Sequence, residues 1–400
     1  MVGLHRHILL YLTCLVCFIS IIYLIFYQRF PTTLLIVSNS AFKKQVVISD
    51  SLKHERKVYA VIPETFHPDF KAPCWYNKDD KPMCLPYFYI AGFPKCGTTD
   101  LWYKIIKHPD VIEVCKEPHW WPWRQYGTEK LPTCQKEASK TTNTIGKPQS
   151  SIEWYLHFYR TQGAVKEIVK SNRYKSFHPK VFGDASVSTS YGTVGNFFSK
   201  YELIDEQFSM TIPKLLYSAT PNAKIIIILR DPVDRYYSGY NYSPYGRTKG
   251  SPTDFHNQTV EAIDCFKRCL LIHSPYYCVH HLEFCKSHSH GYLDKLPLGM
   301  YSIFMKDWLD VFPRNQLYIL TLTELRNQPV RTLRDIFQFL ELSPYEINTS
   351  EKRPVNSRKY PDMLQETRIL LQELYRPYEQ KLVHILNDTK FSFSSLNFPK

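Results

Sequence analysis

Residues 85–107 read LPYFYIAGFPKCGTTDLWYKIIK, and this stretch decides the fold. Leu85 to Ala91 is aromatic and apolar throughout, the pattern of a strand buried on both faces. Gly92 to Gly97 is a loop. Thr98 to Lys107 reads as a helix that ends before His108-Pro109, because proline disfavours helical backbone in the residue preceding it. A loop joining a strand to a helix turns backbone N–H groups toward an anion, and the helix dipole adds to the attraction. The two glycines have the spacing of a nucleotide-binding loop, but Thr98 stands where an NTPase carries its lysine. The lysine lies inside the loop instead, at Lys95, beside the bridging region of a bound phosphate-type ester. That displacement argues against a P-loop kinase or ATPase. Thr98 and Thr99 add hydroxyl donors at the start of the helix.

A second strand is signalled by Lys224 to Leu229, KIIIIL, whose β-branched run suits the centre of a parallel sheet. It runs into Arg230-Asp-Pro-Val-Asp-Arg-Tyr-Tyr-Ser238. Asp231 can cap a helix and Pro232 fits its first position. Arg230 then stands at a strand end, with Arg235 and Ser238 on nearby faces of the following helix. A guanidinium and a hydroxyl so placed can share one phosphate. Shorter strand candidates are Val181 to Gly183 and Leu317 to Leu320, and Val330 to Leu340 has helical spacing. Strands alternating with helices predict an α/β domain with a mostly parallel central sheet flanked by helices. Ligands of such sheets bind at the carboxyl ends of the strands, where both loops fall.

The rest of the chain bounds the setting. Its 400 residues are 44% hydrophobic, enough for a sizeable core, and carry a formal charge of +13. Such a charge attracts polyanions. The basic residues are scattered rather than blocked, so no nucleic-acid arm is expected. Residues 8–27, ILLYLTCLVCFISIIYLIFY, carry no charge. About 20 apolar residues match the hydrocarbon core of a bilayer. The bulky end of this run does not resemble a signal-peptide cleavage site. The expected organisation is a cytoplasmic tail at 1–7, a transmembrane signal anchor at 8–27, a luminal stem at 28–73 and a luminal domain at 74–400. Four glycosylation triplets begin at Asn241, Asn257, Asn348 and Asn387, with Asn241 the least favoured. Cys74, Cys84, Cys115, Cys134, Cys265, Cys269, Cys278 and Cys285 are expected to form disulfides in an oxidising lumen, with local pairing in the 265–285 cluster. Their spacing does not repeat a close metal-ligand pattern, and no metal is expected.

Together Pro94-Lys-Cys-Gly-Thr-Thr99 and Arg230–Ser238 resemble the phosphosulfate loop and the 3′-phosphate motif of the sulfotransferase superfamily. Leu317-Tyr-Ile-Leu, Glu324-Leu and Asn327-x-Pro329 are similar to the strand and helix that follow in that family. The resemblance implies a P-loop-containing sulfotransferase fold and the sulfuryl donor 3′-phosphoadenosine-5′-phosphosulfate (PAPS). It implies that Lys95 stabilises the leaving phosphate oxygen, that Cys96, Gly97, Thr98 and Thr99 line the 5′ end, and that Arg230 and Ser238 hold the 3′-phosphate. Cys96 is then a small loop residue, since direct in-line transfer needs no covalent intermediate.

In Lys116-Glu-Pro-His-Trp-Trp121, Glu117 stands 22 positions after Lys95. This is similar to the base of heparan-type luminal sulfotransferases. A carboxylate there can take the proton of a sugar hydroxyl, and His119 is the competing base. Trp120, Trp121 and Trp123 either stack on sugar or pack internally. The wording of these segments, with Gly183-Asp-Ala-Ser186, is most similar to the N-acetylgalactosamine 4-sulfate 6-O-sulfotransferases of the Golgi. Phe93 and Val187 depart from that pattern. Asp184 and Ser186 become candidate acceptor-side residues, and Lys352, Arg353, Arg358 and Lys359 fall in a basic loop near the nucleotide. The implied acceptor is a sulfated glycosaminoglycan, at the 6-hydroxyl of N-acetylgalactosamine 4-sulfate in chondroitin or dermatan sulfate. A heparan or uronyl O-sulfotransferase is the alternative within the class, and a non-catalytic glycan binder the alternative outside it.

Overall fold

The computed structural model describes residues 60–127, 133–170, 177–192, 210–281, 293–347 and 359–393, with a short hairpin of Leu203–Ile204 and Gln207–Phe208. Among the described residues four strands form one parallel sheet. They are β1 (Phe88–Gly92), β2 (Gly183–Asp184), β3 (Lys224–Leu229) and β4 (Leu317–Thr321), in spatial order β2-β1-β3-β4. The helices that frame the site are α1 (Thr98–Ile105), α2 (Ile152–Thr161), α3 (Pro232–Tyr240), α4 (Tyr301–Val311), α5 (Leu322–Asn327), α6 (Pro329–Phe339) and α7 (Gln365–Leu386).

The isoleucine run behaves as its composition demands. Ile225 to Leu229 are fully buried, which a central parallel strand requires because helices cover both faces. Each such side chain contributes about 1.5–3 kcal/mol of burial. Register is continuous from Ile225 opposite Leu317 to Leu229 opposite Thr321. The turn into α3 also follows its sequence. Asp231 Oδ1 accepts from the N–H groups of Val233 at 2.8 Å and Asp234 at 3.1 Å, and Pro232 occupies the first turn. At the end of β4, Thr321 and Glu324 form a reciprocal capping box that starts α5.

The strand order matters for function. From β1 the chain crosses to β2 on one side, and it later returns to place β3 on the other. The connections thus diverge between β1 and β3, which opens a crevice at their carboxyl ends. The 93–97 loop and Arg230 both emerge there. The α/β architecture with a parallel sheet flanked by helices is the one expected. The edge strand is displaced slightly: β2 begins at Gly183, while Val181 pairs with Val111 in an isolated bridge.

Residues 8–27 lie outside the described residues, and no helix among the described residues is long and apolar enough to cross a membrane. The last part of the segment read as stem packs on the domain. Phe70 stacks on His178 with centroids 4.5 Å apart, and Ala72 is fully buried. Cystines join Cys74 to Cys84, Cys115 to Cys134 and Cys269 to Cys278, and Cys265 is also disulfide-bonded. Asn257 and Asn387 are exposed, whereas the Asn241 side chain donates to the Tyr237 carbonyl at 2.9 Å. Asn348, Cys285, Lys352, Arg353 and Arg358 lie outside the described residues; Lys359 is exposed.

Candidate active site

The 93–97 loop is held from below by backbone and from the side by β3. The Phe93 N–H donates to the Ile228 carbonyl at 3.1 Å, and the Cys96 N–H to the Phe93 carbonyl at 3.2 Å. Lys95 and Gly97 both take left-handed backbone, at φ of 67° and 90°. Gly97 is required twice over. A Cβ there would suffer the left-handed penalty and would sit 2.5 Å from Leu322 Cδ1. Gly97 is also the N-cap of α1 and offers no side chain to it, so the first N–H groups of the helix have no side-chain cap. Thr98 is buried and Thr99 half-buried at that start. An uncapped helix start beside an ammonium suits a phosphate or sulfate group.

Arg230 locks the two motifs together. Its Nη1 donates to the Lys95 carbonyl at 3.2 Å, and its own carbonyl accepts from the Tyr301 hydroxyl at 2.9 Å. Tyr301 lies 3.6 Å from Cys96 Sγ, so one buried phenol from α4 ties the loop to the end of β3. Nothing in the sequence marked Tyr301, because its role depends on a contact across more than two hundred residues. The Lys95 ammonium rests 3.6 Å from the centre of the Tyr242 ring. Arg326 on α5 joins the same electropositive region; burial and then the like charge of Arg230 lower its guanidinium. An anion settling there relieves that repulsion. Ser238, on α3, is half-buried. Arg235 departs from the sequence reading. It is 1% exposed and donates from Nη2 to the Lys295 carbonyl at 2.8 Å, so it anchors α3 to the core. Burial raises the Cys96 thiol despite nearby Arg235, Tyr301 and Arg230, which suits an inert packing residue.

The remaining candidate residues lie in the segment after α1. Seven described non-glycine residues have positive φ, and Lys95, Glu117 and His119 are three of them. Such backbone costs about 1–3 kcal/mol per residue and gathers at functional sites. The segment is pinned by the Cys115–Cys134 cystine, by Thr133 Oγ1 donating to the Glu117 carbonyl at 2.8 Å, and by Arg124 Nε donating to the Pro118 carbonyl at 2.7 Å. Glu117 forms an ion pair with the ammonium of neighbouring Lys116, and its Oε2 lies 3.7 Å from His119 Nε2. Burial alone would raise the Glu117 carboxyl; the His119 contact and the Lys116 charge outweigh it and lower the carboxyl to about 2. The other nitrogen of His119, Nδ1, lies 2.5 Å from Ser188 Oγ.

Beneath His119 sits a buried polar network. The His119 N–H donates to Ser186 Oγ at 2.9 Å, and the Ser186 N–H donates to Asp184 Oδ1 at 2.9 Å. Asp184 Oδ2 accepts from the hydroxyls of Tyr155 at 2.8 Å and Tyr159 at 3.0 Å, both on α2. Asp184 and Ser186, read from sequence as acceptor-side residues, are each 1% exposed and support the Glu117–His119 segment from inside. Trp120 and Trp121 are likewise internal: Trp120 stacks on Tyr155 at 4.7 Å, and Trp121 Nε1 donates to its hydroxyl at 3.2 Å. Trp123 is half-buried 4.4 Å from the His119 ring, and its Nε1–H has no partner among the described residues. Among the described residues no group of three or more His, Cys, Asp or Glu is placed to hold a metal ion.

A lysine-bearing loop and an arginine in contact with it stand at adjacent parallel strand ends, an arrangement of an α/β fold that suits a phosphate-like group. Residues 85–354 match the family described as the sulfotransferase domain, well over half of the chain, and the protein belongs to that family of transferases. It is 27% identical to human carbohydrate sulfotransferase 15, over 87% of this chain and 69% of that protein. It is 25% identical to the mouse bifunctional heparan sulfate N-deacetylase/N-sulfotransferase 4, over 83% of this chain but 34% of that one. A solved sulfotransferase from Alicyclobacillus acidocaldarius shares the fold, with a TM-score of 0.51 and 21% identity, covering 76% of this chain and 97% of its own.

Proposed function

We propose that this enzyme transfers a sulfuryl group from PAPS to a hydroxyl of a sulfated glycosaminoglycan, the 6-hydroxyl of N-acetylgalactosamine 4-sulfate in chondroitin or dermatan sulfate. The observation that carries the reading is the meeting of the Lys95 loop, the uncapped start of α1 and Arg230 at the crevice between β1 and β3. That donor set fits a nucleotide bearing anionic groups at two ends: the loop and Thr98–Thr99 for the 5′-phosphosulfate, Arg230 and Ser238 for the 3′-phosphate. PAPS supplies the sulfuryl group. Glu117 takes the proton of the attacking hydroxyl, His119 orients the carboxylate, and Lys95 balances charge on the departing phosphate oxygen. Lys95 must leave the Tyr242 ring to do so, a contact worth about 0.5–2 kcal/mol. The acceptor assignment draws on the likeness to carbohydrate sulfotransferase 15 and on a +13 charge suited to a polyanion. The reading includes a Golgi membrane anchor at residues 8–27, with tail 1–7, stem 28–73 and luminal domain 74–400. The cystines favour the oxidising compartment.

The test is transfer of label from PAPS by the full chain to desulfated chondroitin, chondroitin 4-sulfate, dermatan sulfate and heparan sulfate. Label on chondroitin 4-sulfate, lost in Glu117→Gln and Lys95→Ala, is the expected result. Label on heparan sulfate alone refutes the acceptor, and no label on any acceptor refutes the function.

A further inference from the structure

The Lys116–Glu117 pair presents a difficulty for catalysis. A general base works best when its basicity is near the operating pH, and an ammonium in contact with a carboxylate suppresses that basicity. The side chains of Lys116 and Glu117 are 13% and 22% exposed, so neither is sealed from solvent. His119 Nε2 is the other side-chain nitrogen in reach of the carboxylate, and its ring is itself held through Nδ1 by Ser188. An acceptor hydroxyl that reaches Glu117 therefore arrives within one contact of the Lys116 ammonium.

We propose that Lys116 selects acceptors carrying an anionic group, a sulfate or carboxylate, beside the reacting hydroxyl, because that group draws the ammonium off Glu117 and frees the carboxylate to act as base. This rests on the sulfuryl-transfer reading above and adds to it the chemistry that the acceptor must present. The step balances simply. The acceptor oxygen bonds to sulfur, its proton passes to Glu117, and the electron pair of the broken S–O bond stays on the 5′-phosphate oxygen opposite Lys95. Lys116 forms and breaks no covalent bond. A neutral acceptor leaves it on Glu117 and meets a weak base. Sulfated acceptors are thus favoured in kcat, where a simple docking lysine would favour them in KM alone.

Two measurements test this, one of which needs no turnover. Infrared difference titration of the full chain, with the Glu117→Gln chain subtracted, follows the Glu117 carboxyl itself. The carboxyl is expected to titrate higher with a bound chondroitin 4-sulfate oligosaccharide than with its desulfated counterpart, and the two are expected to coincide in Lys116→Gln. Transfer kinetics are expected to show a preference for the sulfated acceptor of at least about tenfold in kcat, a part of the range that general bases contribute. That preference collapses in Lys116→Gln and returns in Lys116→Arg, which keeps the charge. Equal titration with both oligosaccharides in the native chain, or a kcat preference that survives Lys116→Gln, overturns the proposal. Should the native chain transfer to no acceptor, the function above fails while the titration still decides the role of Lys116.

Discussion

Replacing Asp184 with alanine tests whether the Glu117–His119 segment is held by the network beneath it. Asp184 accepts three hydrogen bonds at 2.8–3.0 Å, from two tyrosine hydroxyls and the Ser186 N–H, in a site 1% exposed to solvent. Alanine removes every acceptor at once and leaves no route for water without opening the core. Each donor left unpaired costs about 1–3 kcal/mol. The three belong to one network, so their losses overlap, and we expect about 3–5 kcal/mol in total. Asparagine is the informative contrast. It keeps an oxygen for one side and turns an amide NH₂ toward hydroxyls that can rotate to accept, so its cost should be about 1–2 kcal/mol. Urea unfolding followed by tryptophan fluorescence reads both variants, since Trp120 and Trp121 pack against Tyr155. Transfer activity should fall in the same order, because Ser186 carries the His119 N–H. An alanine variant within about 1 kcal/mol of the native chain would refute the reasoning: the network would then be a bystander.

Lys95→Ala should lower kcat about 100- to 1000-fold with a small change in donor affinity, whereas Arg230→Ala should chiefly weaken binding of adenosine 3′,5′-bisphosphate, as calorimetry and steady-state kinetics can separate. Cys96→Ala should retain transfer within a few-fold, since the thiol is buried and raised; loss of turnover with normal bisphosphate binding would revive it as a reacting group. The Glu117 carboxyl is lowered to about 2 in the folded chain, below its value in the unfolded one. Its stabilisation is therefore complete above the ordinary carboxylate range and is lost as pH falls toward 2. The stabilities of the native chain and Glu117→Gln should converge by about 2–3 kcal/mol as pH falls over that interval. Gly97→Ala should lose about 1–3 kcal/mol through its left-handed backbone and the approach to Leu322, measured by thermal melting.

What the sequence disclosed was local. The isoleucine strand, the loop and the Asp231-Pro232 helix start are all specified by neighbours within a few residues, and the structure has them within one or two positions. The parallel sheet followed from their alternation. The support of the site was hidden because it is long-range. Tyr301 reaches the loop from α4, and Tyr155 and Tyr159 reach Asp184 from α2; neither pairing has a period or motif. Arg235 was misread for a related reason. A helix face can be computed from spacing, but which face meets the core depends on the Lys295 carbonyl and on Tyr375 of α7, both remote in sequence. Asp184 and Ser186 lay in a segment whose wording was informative while their burial was not, so their chemistry was legible and their direction was not.

The proposed restraint of Glu117 by Lys116 has a further use once the donor is considered. A sulfuryl donor held beside a strong base is exposed to water as well as to the sugar, and a base that accepts a proton from one hydroxyl accepts it from the other. Catalysis improves only through interactions stronger in the transition state than before it. A base suppressed by Lys116 until an anionic acceptor arrives meets that condition. The ion pair costs little in the resting enzyme, the ammonium is transferred to a partner that only the right acceptor brings, and water brings none. The two left-handed residues, Glu117 and His119, hold the carboxylate and imidazole within 3.7 Å while this exchange occurs. On this view the strained segment, its cystine and the buried Asp184 network serve a single end, a base that stays in place and remains weak until its substrate is present.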